Sequence, residues 1–183
     1  MKKFLAALAV VAACTIALPC NMHAAIPNGK STAQGIEVAP TTEDPCGDVF
    51  SAAVRDDMVA RVDGGASSKV LDPFLGDEVL IFQTRGYCQA REVENLRLTQ
   101  DEFAASLVAE LTAEANQYDH KVTYVSKPTK VLGGTSIAIV ITPPADKIAN
   151  AGVDFRIFTV FVFNDTRIVG VQLFTSVTGL KQP

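Results

Sequence analysis

The 183-residue chain contains no tryptophan, three tyrosines, four cysteines and two histidines. His23 belongs to an amino-terminal apolar segment, so His120 is the one histidine left for a folded domain. With one imidazole and no G-x-S-x-G motif, the sequence does not indicate a Ser-His-Asp catalytic site. The same scarcity argues against a zinc or copper site. His120 follows Asp119 between a predicted helix and a predicted strand, and we expect a solvated turn residue there.

Long runs of basic residues are also missing. The formal net charge is −4, and it becomes −6 once Lys2 and Lys3 of the amino-terminal segment are removed. An acidic chain without a basic cluster is not expected to bind nucleic acid. Its carboxylates occur in scattered pairs such as Asp56-Asp57 and Asp101-Glu102, without the D-x-D-x-D-G spacing of a calcium loop. We therefore expect no cofactor and no metal ion.

The amino-terminal segment has the layout of a secretory signal peptide. Lys2 and Lys3 precede an apolar run from Phe4 to Leu18, and small residues follow at Ala24 and Ala25. The apolar run is too short for a spanning helix, and no second run of about 18 apolar residues occurs. The sequence therefore predicts a signal peptide at residues 1–24 and a periplasmic or secreted protein.

Lipid attachment is the alternative reading of this segment. Cys14 follows Val11-Ala12-Ala13, which has the letters of a lipidation box, and Cys20 follows Pro19, which fits such a box less well. An acyl chain on Cys14 or Cys20 would make the protein a membrane-anchored lipoprotein. Contact with a membrane is expected only in that case.

Two cysteines, Cys46 and Cys88, remain after the signal peptide. An even pair in an exported protein predicts a disulfide bond. A reactive thiol would need a cationic neighbourhood, which the sequence does not show. Residues 25–43 are rich in Pro, Gly, Ser and Thr and are predicted to form a flexible arm. Residues 44–183 have the length and composition of a single domain.

Two apolar runs near the carboxy terminus, Phe155–Phe163 and residues 167–177, are separated by Asn164-Asp165-Thr166. This pattern predicts a long β-hairpin. In the first run Phe158, Val160 and Val162 lie on one face, while further Phe and Ile side chains lie on the other. A strand that is apolar on both faces belongs inside a sheet that is covered on both sides.

Two helices are predicted upstream. One spans Asp44 to Asp63 and starts with Asp44-Pro45, and the other runs from Thr99 to about Asn116 behind a Thr99/Glu102 capping box. Further strands are predicted at residues 78–84, at residues 87–98 after an Arg85-Gly86 turn, and at residues 121–128, 130–132 and 135–142. We therefore expect an α+β fold, with a central antiparallel sheet flanked by two helices and built around the carboxy-terminal β-hairpin.

The order of elements from Thr99 to Val177 resembles the PsbP-like superfamily, which includes the extrinsic protein of photosystem II and bacterial envelope proteins. The capped helix TQDEFAASLVAEL, the Gly133-Gly134 pair before TSIAIVIT, and the closing hairpin carry this resemblance. It implies an antiparallel sheet with helices on both faces and a non-enzymatic role in assembly or accessory binding. It assigns a role to no individual residue.

The sequence thus favours an exported, non-enzymatic accessory or binding protein whose partner is an unknown envelope protein or an apolar ligand. Phe158, Val160 and Val162 form the possible partner or ligand face, provided that the helices leave this side of the sheet incompletely covered. An envelope lipoprotein with a structural role is one alternative. A hydrolase is the other, and it requires carboxylates with raised pKa values that converge in a pocket.

Overall fold

The structure is a computed structural model that describes residues 46–181. The predicted signal peptide at residues 1–24, Cys14 and Cys20 within it, and the predicted arm at residues 25–43 lie outside the described residues. The first half of the fold contains α1 (Val49–Gly64), β1 (Ile81–Ala90), a 3-10 helix (Val93–Arg97) and α2 (Gln100–Gln117). The second half contains β2 (Lys121–Val125), β3 (Thr129–Val131), β4 (Gly134–Thr142), α3 (Ala145–Ala151), β5 (Phe155–Phe163) and β6 (Arg167–Ser176).

The six strands form one antiparallel sheet, and the predicted α+β fold is confirmed. Neighbouring strands follow the order β1-β6-β5-β4-β2, and β3 pairs with β4 as well. The turn between β5 and β6 is closed by Asn164, whose side-chain oxygen accepts hydrogen bonds from the amides of Thr166 and Arg167, both at 2.8 Å. Asn is common in such turns because its side chain can bond to the backbone nearby. Within residues 46–181, the first strand, β1, pairs with the last, β6.

Helix α1 begins at Val49, later than the predicted start at Asp44. Asp48 is its N-cap, since its carboxylate accepts hydrogen bonds from the amide and the hydroxyl of Ser51 at 3.0 and 2.8 Å. The same carboxylate accepts a bond from Nε of Arg167 at 2.9 Å, which joins the start of α1 to β6. The predicted disulfide bond between Cys46 and Cys88 is confirmed, with 6.0 Å between the Cα atoms.

Strand β1 is continuous through Arg85 and Gly86, so the predicted turn at these residues is wrong. Arg85 pairs with Gln172 and Gly86 with Val171, in the middle of an unbroken ladder to β6. After Ala90 the chain forms the 3-10 helix in place of the predicted second strand. Pairing with β6 supplies hydrogen bonds along the whole segment, and this outweighs the local turn preference of an Arg-Gly pair.

The predicted capping box of α2 is present. The hydroxyl of Thr99 accepts a hydrogen bond from the amide of Glu102 at 3.3 Å, and the Glu102 carboxylate accepts one from the amide of Thr99 at 2.8 Å. Phe103 follows the box and is buried, with its ring edge-on to that of Phe163 at 5.0 Å between centres. The capping box thus determines where α2 starts, and the contact between Phe103 and Phe163 packs the helix against β5.

Helix α1 packs against a core cluster that includes side chains of the sheet. Val54 and Met58 belong to a core cluster with residues 70–75 and with side chains that alternate along the strands, including Phe158 and Val160. Because successive side chains of a strand point to opposite faces, Phe163 and Phe158 lie on different sides of β5. Helix α1 thus shares a core cluster with Phe158, while Phe103 of α2 contacts Phe163.

Candidate functional site at the edge of β1

The possible partner face named from the sequence lies in the core. Phe158, Val160 and Val162 are all fully buried, in the cluster that contains Val54 and Met58 of α1. Helix α1 and the loop after it cover this side of the strand. Another molecule would have to displace the helix to touch these three side chains.

His120 is buried, so the expectation of a solvated turn residue is wrong. Asp119 adopts left-handed backbone with a φ of 59°, and the His120 amide donates to the carbonyl oxygen of Ala115 at 3.0 Å. The residue keeps 4% of its accessible surface, and its Nδ1 atom has no hydrogen-bond partner among the described residues. Burial, together with the nearby charge of Lys147, lowers the pKa of His120 below its ordinary value.

Two carboxylates on successive turns of α2 are also shielded from water, although no motif in the sequence marks them. Glu114 is 9% exposed, its Oε1 atom has no hydrogen-bond partner within residues 46–181, and burial raises its pKa to about 7. Burial also raises the pKa of Glu110, and the charge of Glu92 adds to this effect. Glu114 follows the buried Leu111 by three residues, which places both on the same face of the helix. This spacing is the sequence signal that could have predicted the burial of Glu114.

The side chain of Tyr87 in β1 is affected by the charge of Glu110 as well. Burial raises its pKa, and the charges of Glu110 and Glu92 raise it further. Its hydroxyl has no hydrogen-bond partner in the part of the chain that the structure describes. The structure thus brings Tyr87, Glu92 and Glu110 into one electrostatic neighbourhood.

Within residues 46–181, no group of three or more His, Cys, Asp or Glu side chains has an arrangement that could hold a metal ion. Among the helices of that range, none is both long enough and apolar enough to span a membrane.

Strand β1 forms one edge of the sheet. Among the described residues no strand pairs with its outer side. The amide of Arg91, just beyond β1, donates inward to the carbonyl oxygen of Thr166 at 2.8 Å. Backbone groups of successive strand residues point alternately to the two neighbours, so the amides of Gly86 and Thr84 point outward. This edge therefore offers a row of hydrogen-bonding groups.

Two large apolar side chains accompany the beginning of β1. Leu80 is 60% exposed and Phe82 is 44% exposed, and the register of the strand shifts between Ile81 and Gln83. The strand is ten residues long, contains no proline and has Arg85 as its single charged residue. Proteins usually protect a free edge with charges, proline or short strands. Apart from the register shift and Arg85, β1 lacks this protection.

An aromatic pair borders the same end of β1. The rings of Phe155 and Phe174 stack at 6.1 Å, and the guanidinium carbon of Arg85 lies 5.7 Å from the centre of the Phe174 ring. Both rings are half-buried. An exposed strand edge next to apolar and aromatic side chains is the combination that binds extended peptides in other proteins.

No model of a protein family, no curated protein and no solved structure matches this chain. A functional assignment therefore depends on the geometry of the chain itself.

Proposed function

We propose that the protein is an exported, non-enzymatic accessory or binding protein, and that the free edge of β1 is its recognition element. An extended segment of an envelope protein adds to the sheet beside β1. The observation that carries this proposal is the ten-residue edge strand with Leu80 and Phe82 exposed beside it. Main-chain hydrogen bonds supply affinity in this mode of binding, and side-chain contacts supply selectivity.

The cellular setting is part of the same proposal. A signal peptide at residues 1–24 directs the chain to the periplasm or out of the cell, and a lipid on Cys14 or Cys20 is the alternative that anchors it to a membrane. The finer architecture, a central sheet flanked by two helices and built around the carboxy-terminal hairpin, is that of a PsbP-like accessory protein. A disulfide bond between Cys46 and Cys88 suits an oxidising compartment.

Site-specific photo-crosslinking in the native cell envelope tests the recognition element. A crosslinking amino acid at Phe82 is expected to capture a discrete partner. The same group at Val59, which is 47% exposed on α1, serves as the control for non-specific capture. Capture alone does not decide the matter, because an exposed aromatic position can trap many proteins.

The deciding variant is Thr84→Pro in the Phe82-labelled protein. Proline removes the outward amide at residue 84 and leaves the inward ladder to β6 in place. We expect the Phe82 crosslink to fall at least about tenfold with Thr84→Pro and to persist with Thr84→Ala, which keeps the amide. Equal crosslinking in both variants would show that the edge of β1 does not bind the partner by strand addition.

A carboxylate-based hydrolase is the second candidate function. The pKa of Glu114, raised to about 7, favours it, because a carboxylic acid that remains protonated near neutral pH can act as a general acid, and burial raises the pKa of Glu110 as well. Purified protein is assayed against envelope glycans and esters, with Glu114→Gln and Glu110→Gln beside the parent. Turnover that disappears in either variant would support a hydrolase, and turnover of equal size in all three proteins would remove it.

A further inference from the structure

A shallow, open cleft of about 440 Å³ lies at one end of the sheet. Its lining residues come from β2, β4, β5 and the carboxy-terminal segment: Thr123, Thr142, Arg156, Val177 and Leu180. This volume falls within the range of roughly 300–1,000 Å³ that is typical of small-molecule sites. Arg156 is two residues from Phe158, so the cleft opens on the face of the sheet that α1 covers further along.

Arg156 supplies the positive charge of the cleft, and its side chain is 19% exposed. Its Nη1 atom donates to Oδ1 of Asp154 and to the carbonyl oxygen of Phe155, the latter at 2.8 Å. The Nε and Nη2 atoms make no hydrogen bond to any described residue. These two N–H groups form one side of the planar guanidinium, the arrangement that pairs with both oxygens of a carboxylate.

Two hydroxyl groups lie in the same cleft. The Oγ1 atoms of Thr123 and Thr142 are 3.1 Å apart, and Thr123 also reaches the carbonyl oxygen of Val140 at 3.4 Å. Lys121 is the direct cross-strand partner of Thr142, so its exposed side chain leaves the sheet on the same face, beyond the residues that line the cleft. Arg156 therefore gives the cleft a positive charge, and Thr142 can turn its one hydroxyl hydrogen from Thr123 to a ligand.

The two remaining lining residues, Val177 and Leu180, are apolar. We propose that this cleft binds a small molecule that carries one carboxylate on a short apolar body. The carboxylate pairs with Nε and Nη2 of Arg156 and accepts a hydrogen bond from a threonine hydroxyl, while the apolar body covers Val177 and Leu180. None of the residues that line this cleft belongs to β1. A test of ligand binding in the cleft is therefore independent of the test of strand addition at β1.

Hexanoate is the probe, and the oxidised protein without its predicted signal peptide is the sample. Hexanoate titrated into ¹⁵N-labelled protein is expected to shift the amide signals of Thr123, Thr142, Val177 and Leu180. Hexanol has the same apolar chain and no carboxylate, so we expect it to bind at least about tenfold more weakly. Equal affinity for the two probes, or no shift of these four signals with hexanoate, would overturn the proposal.

Matched variants locate the contact. Arg156→Gln is expected to weaken hexanoate binding about tenfold, while Arg55→Gln, at an exposed position of α1, leaves it unchanged. Asp154→Asn removes the carboxylate that occupies Nη1 and should strengthen binding. This variant keeps the test decisive if Arg156→Gln does not fold. Loss of the same size with Arg55→Gln, or no change with Asp154→Asn, would contradict a site centred on Arg156.

Discussion

The guanidinium carbon of Arg91 lies 4.0 Å from the centre of the Phe103 ring, at the start of α2. The Arg91 side chain is buried, and it donates to the carbonyl oxygens of Asn164, at 3.0 Å, and of Asn95. One side chain thus connects the end of β1, the 3-10 helix, α2 and the turn between β5 and β6. A buried cation over an aromatic face is more stabilising than an exposed one because it has lost its competing water.

The first prediction concerns this residue. Arg91→Ala should lower the free energy of unfolding by at least about 2 kcal/mol, because two carbonyl groups lose their donor and Phe103 loses its cation. Arg91→Lys keeps the charge but not the two-armed geometry, so we expect an intermediate loss. Urea denaturation measures both, with Arg97→Ala, at an exposed position of the 3-10 helix, as the control. Equal stability of the Ala variants at 91 and 97 would show that the contact contributes nothing.

The second prediction concerns the disulfide bond, which closes a loop between residues 42 positions apart. Replacement of both Cys46 and Cys88 by serine should lower the free energy of unfolding by about 4 kcal/mol, the value for loop closure of that length. Dithiothreitol should lower the urea midpoint of the parent and leave that of the double variant unchanged. A parent midpoint that does not respond to complete reduction would contradict this account.

The third prediction concerns Gly170, which pairs with Tyr87 on one side and with Phe161 on the other. The two rings meet edge-to-face at 5.7 Å, and a Cβ atom at Gly170 would lie 2.6 Å from a Phe161 ring carbon and 2.8 Å from a backbone oxygen. Gly170→Ala should therefore destabilise the protein by about 1–3 kcal/mol in urea denaturation.

Gly86 provides the matched control for this substitution, because it lies in the adjacent strand and a Cβ atom placed there would have nothing within 4 Å. Gly86→Ala should be neutral or slightly stabilising, since alanine restricts the unfolded chain. Similar losses for both alanine variants would mean that strand propensity, rather than the Tyr87–Phe161 contact, decides the result.

The fourth prediction is a pH dependence that arises from Glu114. Its pKa is about 7 in the folded protein, against an ordinary value of 4.5. Between these values the folded state holds a proton that the unfolded state has released, so stability falls as the pH rises through this window. Glu114→Gln removes this effect and should stabilise the protein at pH 8 by about 1–2 kcal/mol, after allowance for solvent screening, with little change at pH 4.

Urea midpoints at pH 4, 6 and 8 for the parent and Glu114→Gln measure this effect. His120 acts in the opposite sense, because its lowered pKa removes stability as the pH falls through the ordinary histidine range. It is present in both proteins, so its contribution cancels in the comparison. A difference between the two proteins that is the same at every pH would exclude titration of Glu114 as the cause.

The sequence predicted correctly the features of the fold that are determined by residues close together in the chain. Thr99 and Glu102 identified the start of α2, because a capping box uses only four consecutive residues. The prediction of a turn at Arg85-Gly86 was wrong because these residues pair with β6, which is more than 80 residues away in the sequence. His120 was missed for a similar reason, since its burial depends on the turn at Asp119 and on packing that no short sequence window contains.

The pairing of β1 with β6 has a consequence for how the chain is made. Ile81 faces Thr175 and Ala90 faces Arg167, so β1 gains its partner strand only after residues 167–175 have been synthesised. Contacts between distant segments form slowly, because a long loop must close before they contribute. A ribosome-bound chain therefore holds β1 unpaired until β6 has been synthesised. The proposed export requires such a delay, because a polypeptide that is exported unfolded cannot complete its sheet before it crosses the membrane.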